Sequence, residues 1–238
     1  WYEGTANAIY QNMRFIERYD PKYVIVLGGD HIYKMDYSKM VDFHIANDAD
    51  CTISVIDVPR AEASRFGIMI CDEQNQVTDF VEKPKEPKSY YANTGLYFYD
   101  NRVVEYAKSL KPSARGELEI TDINQIYLDN GDLDIKLMGR GFAWLDTGTV
   151  DNLMEAANFI RTIEKLQGIQ ISAPEEIAYN MRWISRKTLI ESAQQYGKSP
   201  YGQHLMRVAE GKIMYSDKQG ERPRWGTEQE PPYSNEKM

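Results

Sequence analysis

The chain opens with apolar positions at helical spacing: Ala6, Ile9, Met13 and Ile16 fall on one face of a predicted helix. A continuous apolar run follows, Tyr23-Val24-Ile25-Val26-Leu27, closed by Gly28-Gly29 and then Asp30. An unbroken run of this kind predicts an inner strand buried on both faces, the habit of parallel sheets. Residues 36–47 read as a helix with Met40, Val41 and Ile45 turned inward, and 51–58 as a second strand. The order strand, helix, strand predicts a right-handed parallel crossover. Residues 66–71 and 77–81 read as a hairpin around the polar turn 72–75. Further strands are expected at 91–99 and 133–138. Between them a short helix capped by Asp100 and Asn101 runs to Leu110, and a loop from Lys111 leads into a helix ending near Asn130 and Gly131. Ala143-Trp144-Leu145-Asp146 then repeats the opening theme, an apolar strand that ends in an aspartate beside glycine.

Beyond that point Leu153, Ala156, Ala157, Ile160, Ile163 and Leu166 form the stripe of a long amphipathic helix, a pattern that usually marks a core face. Residues 169–173 read as extended, and Pro174 begins a helical region reaching about Ala209, stopped by Gly211. From residue 212 the chain is polar and proline-bearing and has too little apolar content to order itself. The expected fold class is α/β with a mainly parallel sheet and a C-terminal helical appendage. Three stretches are expected: a core at 1–168, the appendage at 169–211 and a disordered tail at 212–238.

Candidate chemistry gathers at strand ends, where open α/β sheets bind their ligands. Asp30 either holds a divalent cation that rides on phosphates or caps the next segment. Asp146 sits at a second such end, and two carboxylates can form one hard-oxygen site, since Mg²⁺ takes one or two carboxylates plus substrate phosphates. Glu82 and Lys83 close the hairpin before Pro84. Neighbours on a strand point to opposite faces, so both side chains reach one cleft only where the alternation breaks. Lys83 is then a phosphate neutraliser or a surface lysine. Asn93, Thr94 and Gly95 open the 91–99 strand with hydrogen-bonding groups and close backbone access, suited to sugar hydroxyls. Arg115 beside Gly116 is a mobile guanidinium able to grip phosphate bidentately, or simply a solvated one. Gly4 and Thr5 begin the first helix, where free N–H groups accept a phosphate or a base edge, or are capped.

Composition narrows the class. In 238 residues, 42% are hydrophobic and 27% charged, an ordinary balance for a globular protein. A net charge of −8 argues against non-specific nucleic-acid binding. No apolar run approaches the roughly 18 residues of a membrane span, and the first residues do not form a signal peptide. Cys51 and Cys71 lie in or beside apolar strands and read as reduced thiols of a cytoplasmic protein.

At these motifs the sequence resembles the sugar-1-phosphate nucleotidylyltransferases. Trp1-Tyr-Glu-Gly-Thr-Ala6, Leu27-Gly-Gly-Asp-His-Ile-Tyr-Lys-Met-Asp36 and Ala61-Glu-Ala-Ser-Arg-Phe-Gly67 look like the glucose-1-phosphate adenylyltransferases, a likeness that runs to about residue 81. From about residue 82 to 210, Lys111-Pro-Ser-Ala-Arg-Gly-Glu-Leu-Glu-Ile-Thr-Asp-Ile-Asn124, Gly139-Arg-Gly-Phe-Ala-Trp-Leu-Asp-Thr-Gly-Thr149 and Ser172-Ala-Pro-Glu-Glu-Ile-Ala178 look like the glucose-1-phosphate thymidylyltransferases. The resemblance implies a Rossmann-like core and attack of the glucose 1-phosphate oxygen on the α-phosphorus of a nucleoside triphosphate, with release of pyrophosphate. It implies Mg²⁺ on Asp30 and Asp146, the sugar phosphate on Lys83 and Arg115, glucose on Gly67, Glu82 and Asn93, and the base near Gly4. It implies a homo-oligomer as well. By matched length the nucleotide is dTTP; ATP is the alternative.

Two departures stand out. Asn93 differs from the apolar residue of the thymidylyl enzymes and the serine of the adenylyl ones. The family's glycine-rich nucleotide loop, Gly-Gly-x-Gly-Thr-Arg-Leu, has no counterpart, which implies a core cut short at its N-terminus and little or no turnover by this chain. A non-catalytic sugar-phosphate binder is therefore a second expectation.

Overall fold

A computed structural model describes residues 1–73, 76–139 and 141–213. By its internal contacts the chain divides into two compact units, one from Trp1 to Asn152 and one from Leu153 onward.

The first unit is built on one strand. After α1 (Thr5–Tyr19), β1 (Tyr23–Leu27), β2 (His31–Lys34), α2 (Ser38–Ala46), β3 (Cys51–Asp57), β4 (Gly67–Cys71) and β5 (Val77–Glu82) comes β6 (Tyr91–Asp100), the longest strand among the described residues, with six of its ten residues buried. One edge of β6 pairs with β3 from Tyr91 to Tyr99. Its other edge is divided: β4 takes Tyr91 and Ala92, and β1 takes Leu96 to Asp100. Asn93, Thr94 and Gly95 lie in the notch between them. There Gly95 adopts φ +71°, a left-handed conformation that glycine enters without steric cost. The unit continues with α3 (Val103–Ser109), α4 (Ile120–Asn130), β7 (Leu133–Leu137) and β8 (Ala143–Asp146).

The α/β class holds, but the sheet differs from expectation. β1, β3, β4 and β7 run one way and β5 and β6 the other. Because β6 stands between β1 and β3, those two are parallel, as the crossover predicts, without touching. Among the described residues the hydrogen-bonded parallel pair is β3 with β7, and the other ladders are antiparallel.

Helices cover both faces. Ala6 and Ile9 of α1, Val103, Val104 and Ala107 of α3, and Ile120, Ile123 and Tyr127 of α4 pack on Ile53, Val55, Tyr97 and Tyr99. On the opposite face Met40 of α2 meets Leu96 and Phe98. This helix turns His44 inward and leaves Ile45 half exposed, contrary to the periodicity, because the His44 Nδ1 finds the Thr52 hydroxyl at 2.8 Å inside the fold. β1 is not buried on both faces. Val24 and Val26 join the core, but Ile25 and Leu27 are 41% and 43% exposed, on the face where α2 packs on Leu96 and Phe98 of β6 and meets β1 at Tyr23 through His44.

In the second unit, α5 (Val150–Gln167, its first turn in the preceding unit) buries Ala156 and leaves Leu153, Met154 and Leu166 exposed. Its stripe is therefore not a core face, and the division at Asn152 falls before the expected 168. α6 (Pro174–Asn180), α7 (Arg186–Tyr196) and α8 (Pro200–Ala209) enclose Leu189, Ala193, Leu205 and Val208. Ser185 and Ser199 cap α7 and α8 by accepting from the Thr188 and Gly202 N–H groups. Glu176 pairs with buried His204 at 2.6 Å. The expected tail at 212–238 lies almost wholly outside the described residues.

Candidate functional site

β1 stops at Leu27 because the next two residues are glycines. Gly28 donates its N–H to the Gly95 carbonyl at 3.0 Å, fastening the turn to the notch in β6. The chain reverses and re-enters as β2, which pairs antiparallel with β8 so that His31 lies opposite Asp146. Thr147 locks the join: its N–H and its hydroxyl both donate to the Asp30 carbonyl, at 3.1 and 2.6 Å.

This places the two aspartates together. His31 Nε2 lies 3.8 Å from Asp30 Oδ1 and 3.8 Å from Asp146 Oδ1. A methyl group at Gly148 would stand 3.1 Å from Asp146 Oδ1 and 3.5 Å from Asp30 Oδ2, so the glycine keeps the space beside both carboxylates clear. Gly148 also donates its N–H to Asp146 Oδ1 at 2.8 Å. Asp30 is 65% and Asp146 34% exposed, so neither carboxylate is consumed inside the fold. Two open carboxylates converging over a glycine fit a hard cation that completes its shell with phosphate oxygens and water. Among the described residues there is no group of three or more acidic, histidine or cysteine side chains that would cage a metal unaided.

The hairpin supplies a second cluster. Gly67 faces Glu82 across the β4–β5 ladder, and a side chain at 67 would come within 2.8 Å of Glu82 Oε2 and of the Phe80 ring. Lys83 follows with φ +46°, a conformation that L residues seldom adopt, its N–H held by the Phe66 carbonyl at 3.1 Å. This break in the alternation brings the Lys83 ammonium to 3.6 Å from Glu82 Oε1, so both side chains lie on one side of the strand end. Phe66 connects the clusters, its ring lying 5.1 Å from that of Trp144, while Trp144 Nε1 donates to His31 Nδ1 at 3.2 Å. Asn93 lies in the notch with both ends engaged, donating to the Tyr97 hydroxyl at 2.8 Å and accepting from the Gly95 N–H at 2.9 Å.

Gly4 and Arg115 are held elsewhere. A Cβ on Gly4 would lie 2.5 Å from the Leu118 carbonyl oxygen, so the glycine is required by close packing of two backbones. The start of α1 is tied there too: the Ala6 N–H donates to that carbonyl at 2.9 Å, and Thr5 Oγ1 accepts from the Ile120 N–H at 2.9 Å. The Arg115 guanidinium is turned onto its own loop, 3.2 Å from Glu117 and 3.7 Å from Glu119. His31 and Trp144, which tie the aspartates to the hairpin, are not among the candidates named from sequence. Their signal is position: His31 follows Asp30 directly, and Trp144 precedes Asp146 by two residues and so shares its face.

Comparison with known proteins matches residues 2–163 to the family model described as nucleotidyl transferase. A glucose-1-phosphate thymidylyltransferase of Neisseria meningitidis is 43% identical over 206 residues, spanning 87% of this chain and 70% of that protein. A glucose-1-phosphate adenylyltransferase of Bacillus cytotoxicus is 48% identical over 159 residues, 66% of this chain and 42% of that protein. A Bacillus anthracis crystal structure, named for glucose-1-phosphate thymidylyltransferase and holding a sucrose, superposes with a TM-score of 0.55 at 38% identity over 63% of this chain and 60% of its own.

Proposed function

The chain belongs to the nucleotidyl transferase family, and we propose that within it the chain serves glucose 1-phosphate and dTTP, forming dTDP-glucose and pyrophosphate. In this reaction an oxygen of the sugar phosphate bonds to the α-phosphorus, the bond to the β-phosphate oxygen breaks, and pyrophosphate carries away the electron pair. The observation that supports this reading most is the convergence of Asp30 and Asp146 from two strand ends beside Gly148.

Asp30 and Asp146 are the groups that would hold Mg²⁺, which when bound supplies positive charge to the phosphate oxygens. Lys83 adds a fixed cation at the end of the hairpin, and Glu82 in the same cleft offers carboxylate oxygens to sugar hydroxyls. Gly67, with no side chain of its own, leaves room beside it for the Glu82 carboxylate that would meet the sugar. Asn93, with both ends engaged, shapes the notch. Arg115 joins the sugar phosphate only by exchanging Glu117 and Glu119 for it. Work of this kind is positioning and charge neutralisation, the main source of rate in phosphoryl-type transfers.

Use of dTTP is favoured by a thymidylyltransferase likeness that spans 87% of the chain. ATP is the second reading, favoured by the 48% identity to an adenylyltransferase. Pyrophosphate release with glucose 1-phosphate, Mg²⁺ and either nucleotide separates the two, and calorimetry with glucose 1-phosphate reports the sugar-phosphate site independently of turnover. Binding without turnover points to a sugar-phosphate holder, and absence of both sinks the reading.

A further inference from the structure

The imidazole of His31 sits in a fitted socket. A methyl group at Gly28 would come within 2.7 Å of its Nδ1 and one at Gly95 within 2.9 Å of its Cε1, so both glycines exist to admit the ring. Trp144 meets it edge-on at 5.6 Å, and Tyr33 lies on another side at 5.9 Å. Three polar atoms reach its Nδ1: Trp144 Nε1 at 3.2 Å, the Tyr33 hydroxyl at 3.1 Å and the Thr94 carbonyl at 3.1 Å.

Two of those partners compete over the ring proton: the Thr94 carbonyl calls for one on Nδ1, the Trp144 N–H for a bare Nδ1. An indole N–H is only a donor, and Nδ1 is the acceptor it meets among the described residues. The Thr94 carbonyl already receives the Tyr33 hydroxyl at 2.8 Å and needs no proton from the ring. With Nδ1 accepting from Trp144, a neutral ring carries its proton on Nε2, the nitrogen 3.8 Å from both Asp30 and Asp146, while the Thr94 carbonyl faces a bare Nδ1 at 3.1 Å. A protonated Nε2 has no in-plane lone pair to give a metal.

We propose that His31 is a positioning residue: its Nε2–H, 3.8 Å from both carboxylates, draws Asp30 and Asp146 toward one point so that a divalent cation meets a pair already gathered, while His31 itself stays off the metal. The 3.8 Å separations are longer than a hydrogen bond, so the N–H engages one carboxylate after a small side-chain rotation or through a water. Partners that orient metal-binding carboxylates typically change affinity by about 10–100-fold when removed. The role rests on the reading of Asp30 and Asp146 as the cation pair, and the experiment keeps the two apart.

Mn²⁺ binding to the full chain is measured by electron paramagnetic resonance without nucleotide or sugar phosphate. The wild type is compared with D30N, D146N, H31F (which fills the socket but has no N–H) and H31Q (which returns an N–H near the Nε2 position). Long-range ¹⁵N–¹H spectra of the wild-type imidazole are recorded with and without saturating Mg²⁺. The expected result is a proton on Nε2 in both spectra, an affinity lowered about tenfold in H31F, and recovery of most of it in H31Q. Mn²⁺ bound by H31F as tightly as by the wild type overturns the proposal, as does an Nε2 that loses its proton to Mg²⁺. Unchanged binding in D30N and D146N overturns the cation reading itself, and the proposal with it. The imidazole spectra need no substitution, so a failure of H31F to fold leaves the role of the N–H testable.

Discussion

Replacing Gly95 by alanine tests the socket directly, and Gly131 provides its control. Both glycines have a left-handed backbone, with φ +71° and +78°. They differ in surroundings: a Cβ at Gly131 would meet nothing within 4 Å, whereas one at Gly95 would lie 2.9 Å from His31 Cε1 and 3.0 Å from Nδ1. The ring cannot retreat easily, since Trp144, Tyr33 and the Gly28 backbone surround it. The left-handed backbone costs a residue with a side chain about 1–2 kcal/mol and overpacking adds about 1–3 kcal/mol, so G95A loses about 2–5 kcal/mol and G131A about 1–2 kcal/mol. With a urea slope of about 2 kcal/mol per molar, the unfolding midpoint falls by about 1–2.5 M in G95A and by about 0.5–1 M in G131A. The assay is urea unfolding followed by tryptophan fluorescence, which Trp144 reports from beside the ring. Equal losses in the two variants would refute the claim that the notch is shaped around His31. A larger loss in G95A with Mn²⁺ affinity untouched would separate folding from cation binding.

Three further outcomes are expected. Asp30→Asn and Asp146→Asn each weaken Mn²⁺ binding at least tenfold, roughly the scale of losing one of two anionic ligands, and the double variant binds no detectable Mn²⁺ by the same resonance assay. Burial holds the His44 imidazole below its ordinary pKa of 6.5. The folded state therefore binds fewer protons, and stability present above about pH 6.5 is lost as the pH falls and the unfolded chain takes up that proton. Urea midpoints between pH 7.5 and 5.5 decline in the wild type, and the decline is shallower in His44→Gln. Ser199→Ala removes the α8 cap and lowers the stability of the second unit by about 1 kcal/mol, read as a shift in the denaturation of its helices by circular dichroism.

Much of this could be read along the chain wherever the signal is local. The apolar run closed by Gly28, Gly29 and Asp30 marked a strand end, and the same pattern at Asp146 marked another; their meeting adds the β2–β8 pairing that no local pattern shows. The break at Lys83 followed from strand alternation against a proline, and φ +46° is its physical form. What escaped depends on contacts between distant residues. β6 returns between β1 and β3 and makes most ladders antiparallel. Gly4 is chosen by the backbone of Leu118, more than a hundred positions away. His44 displaces Ile45 from the interior because Thr52 waits there with a hydroxyl. Arg115 looked mobile in isolation, but two glutamates of its own loop were close enough to hold it.

The interrupted side of β6 sets two registers independently. A one-residue slip of the β4–β5 hairpin would exchange its inward and outward side chains, yet the strand leading to Asp30 is aligned by its own ladder from Leu96 to Asp100. Insertions or deletions near the hairpin turn can therefore remodel the wall that carries Glu82 and Lys83 while the acidic pair keeps its place. On the proposed assignment, the hairpin wall and the acidic pair can then be altered by separate edits to the chain.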